Sequence, residues 1–219
     1  MPAWAVSFET RVSVTASDII TAAVRVEALA GVIRDIPIPP GVQSRIDALN
    51  ILRAVRGTTG IEGIELSEEE VGRIIAAPAG TPALAKGRER EEREVQNAAR
   101  VMQFVADVVK DDPATPLTED LVCRIHELTT ENIDYANNQP GHYREHGLTA
   151  GSYVPPRTGD EVRTLMSQFI EWFNTGPPRA WPAAVRAIVA HFYVVSIHPF
   201  GDGNGRTARA VESFLLYQG

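Results

Sequence analysis

The chain has 219 residues, with 21 Lys and Arg against 28 Asp and Glu, a net charge of −7 and 44% hydrophobic residues. This is enough apolar material for one packed domain with an elaborated terminus, and the acidic balance argues against a nucleic-acid-binding face. The single cysteine, Cys123, excludes an internal disulfide and a cysteine-based zinc site. Trp4 to Phe8 is too short and lacks the basic start of a signal peptide, and no run approaches the ~18 apolar residues of a membrane span. A soluble cytoplasmic protein is expected.

Trp4, Val6 and Phe8 alternate as in a short strand or an extended arm. Ser17 and Asp18 open a helix running to about Arg34, with Ile19, Ala23, Val26, Ala30 and Ile33 predicted to face inward. Pro37 to Gly41 stops it. A second helix follows, with Ile46, Leu49, Leu52 and Val55 as its stripe, and Ser67 with Glu70 forms a capping box before Val71, Ile74 and Ile75. Pro78 to Pro82 is the best boundary, dividing an N-terminal helical region (1–80) from a core (81–219). The alternating charges from Lys86 to Glu94 start a long helix that buries Val95, Ala98, Met102, Val105 and Val109. Thr118 caps the next, with Leu121, Ile125 and Leu128 inward.

The stretch 137–152 is the least helical. Leu148 to Val154 is predicted as a short hairpin around Ala150-Gly151, closed by Pro155-Pro156. Asp160 is expected to cap a helix burying Val162, Leu165, Met166, Phe169 and Phe173. A further helix over ~182–197 places Val185, Ile188, Val189, Phe192 and Val195 on its buried face, and Ala208, Val211 and Leu215 mark the last one. The fold class is mainly α, a helical bundle with one short β-hairpin and an N-terminal helical extension.

Between the last two helices runs His198-Pro-Phe-Gly-Asp-Gly-Asn-Gly-Arg-Thr-Ala-Arg209. Three glycines free backbone amides to converge on an anion at a helix N-terminus. Asp202 is a hard oxygen ligand suited to Mg²⁺, Arg206 and Arg209 stand one turn apart to grip a polyphosphate, and His198 supplies a base near neutrality. Together these describe phosphoryl or nucleotidyl transfer to a hydroxyl. A Walker loop fits poorly, because Gly201 to Gly205 is one residue short and Arg206 stands where its Lys belongs.

The string resembles the Fic signature, His-x-Phe-x-Asp/Glu-Gly-Asn-Gly-Arg-x-x-Arg, at every fixed position. Gln139 to Arg144 resembles the Pro-Gly-x-Tyr/Phe-Arg string ahead of that family's flap, and Tyr153-Val154-Pro155-Pro156 its return. The resemblance covers roughly residues 90–219. It implies transfer of AMP from ATP, with Mg²⁺, to a Ser, Thr or Tyr hydroxyl of a protein target, the chain itself included. His198 would then be the base, Asp202 the metal ligand, Gly203, Asn204 and Gly205 the anion hole, and Arg206 and Arg209 the phosphate clamp. Leu148, Thr149, Tyr153 and Val154 would dock an extended target segment. A homodimer is compatible with the resemblance alone. Such cores carry at least one helix beyond the one ending near Gly219, which implies a truncated or unusually short member.

Upstream, Thr58-Thr-Gly-Ile-Glu62-Gly63 resembles the inhibitory helix that some of these proteins place before the core. A Glu62 carboxylate paired with Arg209 would occupy the guanidinium that a γ-phosphate needs; the same glutamate in related proteins also positions water to remove AMP. Other donors, another phosphoryl group, or a non-catalytic nucleotide-binding module are the alternatives. His142-Tyr-Arg-Glu-His146 also matches an inverted zinc-protease pattern, but Asn137 to Gly141 is a poor setting for the helix that chemistry needs.

Overall fold

A computed structural model describes residues 8, 16–78, 81–136 and 138–219. Among these are eight α-helices: α1 (Ser17–Arg34), α2 (Pro40–Ile61), α3 (Glu68–Ala76), α4 (Glu89–Asp111), α5 (Glu119–Thr130), α6 (Gly159–Thr175), α7 (Ala183–Ile197) and α8 (Asn204–Tyr217). The expected strand over Trp4 to Phe8 lies outside the described residues apart from Phe8, whose ring packs on Phe169, Trp172 and Tyr193.

Local chemistry sets most helix ends. Ser67 accepts from the Glu70 amide while the Glu70 carboxylate accepts from the Ser67 amide, the predicted capping box. Thr118 caps α5 through the Leu121 amide. For α6 the cap is Thr158, in a second capping box with Glu161, and not Asp160, which falls inside the first turn. Helix α2 ends in a complete Schellman motif: the Ile64 amide donates to Thr59 O, the Gly63 amide to Gly60 O, and Gly63 takes φ +87°.

Two apolar clusters share α4. The larger joins α5 to α8 and the C-terminal half of α4, with Val105, Phe169, Phe173 and Phe214 fully buried. The smaller seats α2 and α3 on the other half through Val55, Val71, Ile74 and Val95. Three expected faces differ. In α1 only Ala23 is buried, and Val26 and Ile33 are more than half exposed. In α2, Ile46 and Leu49 are exposed and the buried positions are Val55 and Thr59. In α7 the buried face is Ala187, Ala190, Tyr193, Val194 and Ile197, leaving Ile188 and Phe192 outside.

The hairpin reduces to one tight turn. Ala150 and Tyr153 exchange both backbone hydrogen bonds, at 2.9 and 3.0 Å, around Gly151 at φ +60°. No strand extends from it among the described residues. Pro155 and Pro156 have no N–H to carry a ladder, and the Pro156 carbonyl is taken by Arg144 at 2.7 Å.

Candidate active site

The loop from His198 to Gly203 is held by buried groups on every side. His198 ends α7 in the left-handed region, at φ 52°, a conformation that costs a non-glycine residue on the order of 1 kcal/mol. Arg144, 3% exposed, maintains it: Nε donates to His198 O at 2.7 Å and its backbone amide to Pro199 O at 2.9 Å. Asn204 folds its amide back onto Phe200, accepting from Phe200 N and donating to Phe200 O, both at 2.9 Å. Phe200 is fully buried, stacked on the His126 ring at 3.7 Å. Because the Gly141 amide donates to His126 Nδ1, the proton sits on Nε2, which donates to Asp202 O at 3.1 Å. Burial pushes the His126 pKa down to about 4, so the ring stays neutral.

The chemistry-bearing groups follow from this scaffold. His198 Nδ1 lies 3.2 Å from Val195 O, an acceptor, so Nδ1 carries the proton and Nε2 keeps a lone pair. Burial lowers its pKa, outweighing the hydrogen bond to Val195, and leaves it in the base form at neutral pH. Gly203, at φ +72°, is the N-cap of α8, and a Cβ there would meet Thr130 Cγ2 at 2.8 Å. The amides of Asn204, Gly205 and Arg206 are the first three of α8 and have no intrahelical acceptor. They make an anion site at the positive end of the helix.

Asp202 is half exposed at the same mouth. Its Oδ1 accepts from the Gly203 amide and from Arg206 Nη2, at 2.5 and 3.2 Å, and Oδ2 has no partner among the described residues. One free carboxylate oxygen beside an anion site fits Mg²⁺, which takes most of its shell from phosphates and water. No cluster of three His, Cys, Asp or Glu side chains placed to hold a metal occurs among the described residues. The stretch from His142 to His146 is irregular, with Glu145 paired to Arg163.

One expected clamp residue and one expected anion-hole side chain are placed differently. Arg206 turns inward, 7% exposed, against Tyr135, Asp202 and Glu94, and the Asn204 side chain braces the loop instead of facing the anion site. Arg209 stays at the rim and reaches across 147 positions of sequence: Nη2 donates to Glu62 Oε1 at 2.6 Å and Nε to Thr58 Oγ1 at 2.8 Å. Gly205 permits this approach, since a Cβ there would stand 3.2 Å from Arg209 Nη1 and 3.3 Å from Glu62 Oε1. Gly63 sets the end of α2, so Glu62 sits at the helix terminus facing α8.

A groove of about 1030 Å³ opens on the other side of His198, between the 150–153 turn and α7. Of the expected docking residues, Tyr153 lines this groove, its hydroxyl donating to Ser196 O at 2.6 Å, while Thr149 and Val154 are exposed beside the turn and Leu148 is half-buried. His191 Nδ1 meets Glu212 Oε2 at 2.6 Å in the same groove. Sequence reasoning assigned no role to Arg144, Tyr135, Glu94 or Asn138, which donates nothing to the loop but accepts the Asp202 amide at 3.1 Å. Of these only Arg144 left a signal, in the Pro140-Gly-His-Tyr-Arg144 string.

Residues 116–216 match the model of the Fic/DOC family. Protein adenylyltransferase Fic of Aedes aegypti is 29% identical over 73% of this chain and 30% of its own length. Its counterpart in Drosophila willistoni is 40% identical over 43% of the chain and 18% of that protein. The chain thus spans about a third or less of these relatives. Fic-1 of C. elegans (residues 134–508) has the same fold, with a TM-score of 0.75 at 23% identity over 95% of this chain and 60% of that one. A Fic family protein of Desulfovibrio desulfuricans gives 0.72 at 23% identity, also over 95% and 60%. No helix among the described residues is long and apolar enough to cross a membrane.

Proposed function

We propose that this chain is a protein adenylyltransferase that moves AMP from ATP to a side-chain hydroxyl, and that it is held in check by its own Glu62. The observation that carries the reading is the pairing of an armed base with a disarmed clamp. His198 Nε2 is free to take a proton, while Arg209 is occupied by Glu62 and Thr58. The matched relatives named protein adenylyltransferase support the same chemistry.

In the reaction, His198 Nε2 takes the proton of the target hydroxyl, whose oxygen attacks the α-phosphorus in line, and pyrophosphate leaves. The first amides of α8 hold phosphate oxygens as charge develops on them. Arg209, once Glu62 withdraws, pairs with the terminal phosphate and thereby fixes which phosphorus faces the nucleophile. Asp202 would hold Mg²⁺, which when bound neutralises charge on the phosphate oxygens. The turn at 150–153, with Leu148, Thr149 and Val154 beside it, presents an edge to an extended target segment. A target protein, autologous or not, is the partner this chemistry requires.

The test is incubation of the parent, Glu62→Gly and Glu62→Gly/His198→Ala with Mg²⁺ and ATP labelled at the α- or γ-phosphate, reading label on the protein. Glu62→Gly is expected to take up α-label well above the parent, and removal of the base to reduce it by roughly 10²–10⁴-fold. Uptake of γ-label would make the protein a kinase, and equal uptake by parent and Glu62→Gly would remove the inhibitory role.

A further inference from the structure

Arg206 occupies the first turn of α8, where a phosphate-gripping arginine is expected, yet both of its terminal nitrogens are engaged inside the protein, while its buried Nε has no partner among the described residues. Nη1 donates to the Tyr135 hydroxyl at 2.5 Å, and that hydroxyl donates onward to Glu94 Oε1 at 2.7 Å. Nη2 donates to Asp202 Oδ1 at 3.2 Å. Glu94 Oε2 stands 3.7 Å from Nη1, close but not in hydrogen-bond contact. Arg206, Tyr135 and Glu94 are each less than 10% exposed. The Tyr135 ring also lies against the Arg90 and Arg206 guanidinium carbons, at 4.8 and 5.1 Å.

Two carboxylates therefore compete for one buried guanidinium. Glu94, shielded from water, would take Arg206 in a direct two-pronged pair if nothing stood between them. The Tyr135 hydroxyl prevents this by giving Glu94 a donor and Arg206 an acceptor at once. Arg90 adds a second cation on Glu94 at 3.1 Å and weakens its pull further. The free edge of Arg206 is left on Asp202 Oδ1, and with Gly203 N–H on the same oxygen the carboxylate is fixed with Oδ2 outward.

We propose that Tyr135 and Glu94 are positioning residues for Asp202, holding Arg206 so that it orients the carboxylate for a divalent cation instead of gripping phosphate. Arg206 then acts through Asp202, and Arg209 alone of the two arginines reads the polyphosphate. The proposal rests on the nucleotide-site reading above, and its test separates the two. ATP binding is measured by calorimetry, in EDTA and across a Mg²⁺ series, on Glu62→Gly, Glu62→Gly/Tyr135→Phe and Glu62→Gly/Arg209→Ala.

Tyr135→Phe is expected to leave metal-free ATP affinity within about twofold of the Glu62→Gly parent. The Mg²⁺ concentration giving half of the metal's effect should rise roughly 10-fold or more, the usual consequence of losing an outer partner of a metal ligand. Arg209→Ala should do the reverse, weakening metal-free binding and leaving the Mg²⁺ midpoint in place. A substitution that only loosened the fold would lower the melting temperature without moving that midpoint. An unmoved midpoint in Tyr135→Phe overturns the relay, as does a loss of metal-free affinity matching Arg209→Ala, which would make Arg206 a phosphate ligand. Failure of the parent to bind ATP under any condition overturns the nucleotide site itself, and the relay with it.

Discussion

At the scale of single residues, the two histidines beside the loop show how burial sorts one side chain into different roles. His198 has one nitrogen committed to Val195 O and the other open to the groove. His126 has both committed, to the Gly141 amide and the Asp202 carbonyl, and is fully buried. The first is free to exchange a proton and the second is a brace. Because the His126 pKa is about 4 in the fold against 6.5 in an open chain, its contribution to stability has a defined pH window. Above 6.5 both states are neutral and the contribution is complete. Between 6.5 and about 4 only the unfolded chain takes the proton, so stability falls as pH falls; below that both are charged and nothing more is lost. The full effect is on the order of 3 kcal/mol. Chemical denaturation from pH 7 to 4 should show the parent losing that much more than His126→Asn, in which carboxylate titrations are shared and cancel. Equal losses would mean that the ring is not kept neutral by the fold.

At the scale of elements, α2 meets Arg209 of α8 only at its C-terminal end. Glu62 reaches Arg209 because the chain leaves the helix one residue later, at Gly63 in the left-handed region. A Cβ at 63 would meet nothing within 4 Å, so the cost of Gly63→Ala is conformational, roughly 1 kcal/mol. That corresponds to about 2–4 °C in melting temperature for a chain of this size. Gly63→Ala is expected to lower the melting temperature by that amount and raise basal α-label uptake, with Gly63→Asn milder because Asn tolerates the same backbone region. An activity rise without a stability loss would mean that residue 63 touches something other than the helix end. The elements themselves were largely legible. Caps at Ser67 and Thr118 and the stripes of α4, α5 and α6 are local chemistry, and they appear where the sequence put them. The failures share a cause. Helix α7 is apolar over most of its circumference, so its period marks no single face, and the stripes of α1 and early α2 state an amphipathic surface without saying what covers it. The turn at Ala150-Gly151 was legible, but only one bridge, Ala150 to Tyr153, forms around it, and Pro155 and Pro156 have no amides to extend a ladder. In the site, the twelve-residue motif was readable because its parts are adjacent. Glu94, Tyr135 and Asn138 were not, because hydrogen-bond partners 41, 64 and 71 positions away leave no local signal.

For the whole molecule, the division into two apolar clusters decides how the proposed inhibitory contact between Glu62 and Arg209 would open. Glu62 and Arg209 are partly exposed, and an ion pair of that kind contributes about 1 kcal/mol or less. Under α2 a cavity of about 290 Å³, lined by Ala54, Gly57, Ala98 and Met102 among others, leaves the seat incompletely filled. The firm hold is Val55, fully buried in the smaller cluster with Val71, Ile74 and Val95. Truncating it in Val55→Ala removes on the order of 2 kcal/mol from that cluster, which raises the population of the unseated helix by roughly 30-fold. The larger cluster, with Phe169, Phe173, Phe200 and Phe214, does not contain Val55 and should be untouched. Amide exchange followed by mass spectrometry is therefore expected to accelerate across residues 40–76 in Val55→Ala and to stay unchanged across α5 and α6. Basal α-label uptake should rise toward the Glu62→Gly level. A uniform acceleration over the whole chain would show that α2 and α3 unfold only with the core, and relief of inhibition would then have to come from a movement of Glu62 alone. A local acceleration with no change in labelling would separate the seat from the latch and leave Glu62 on Arg209 even when the helix around Val55 is loose.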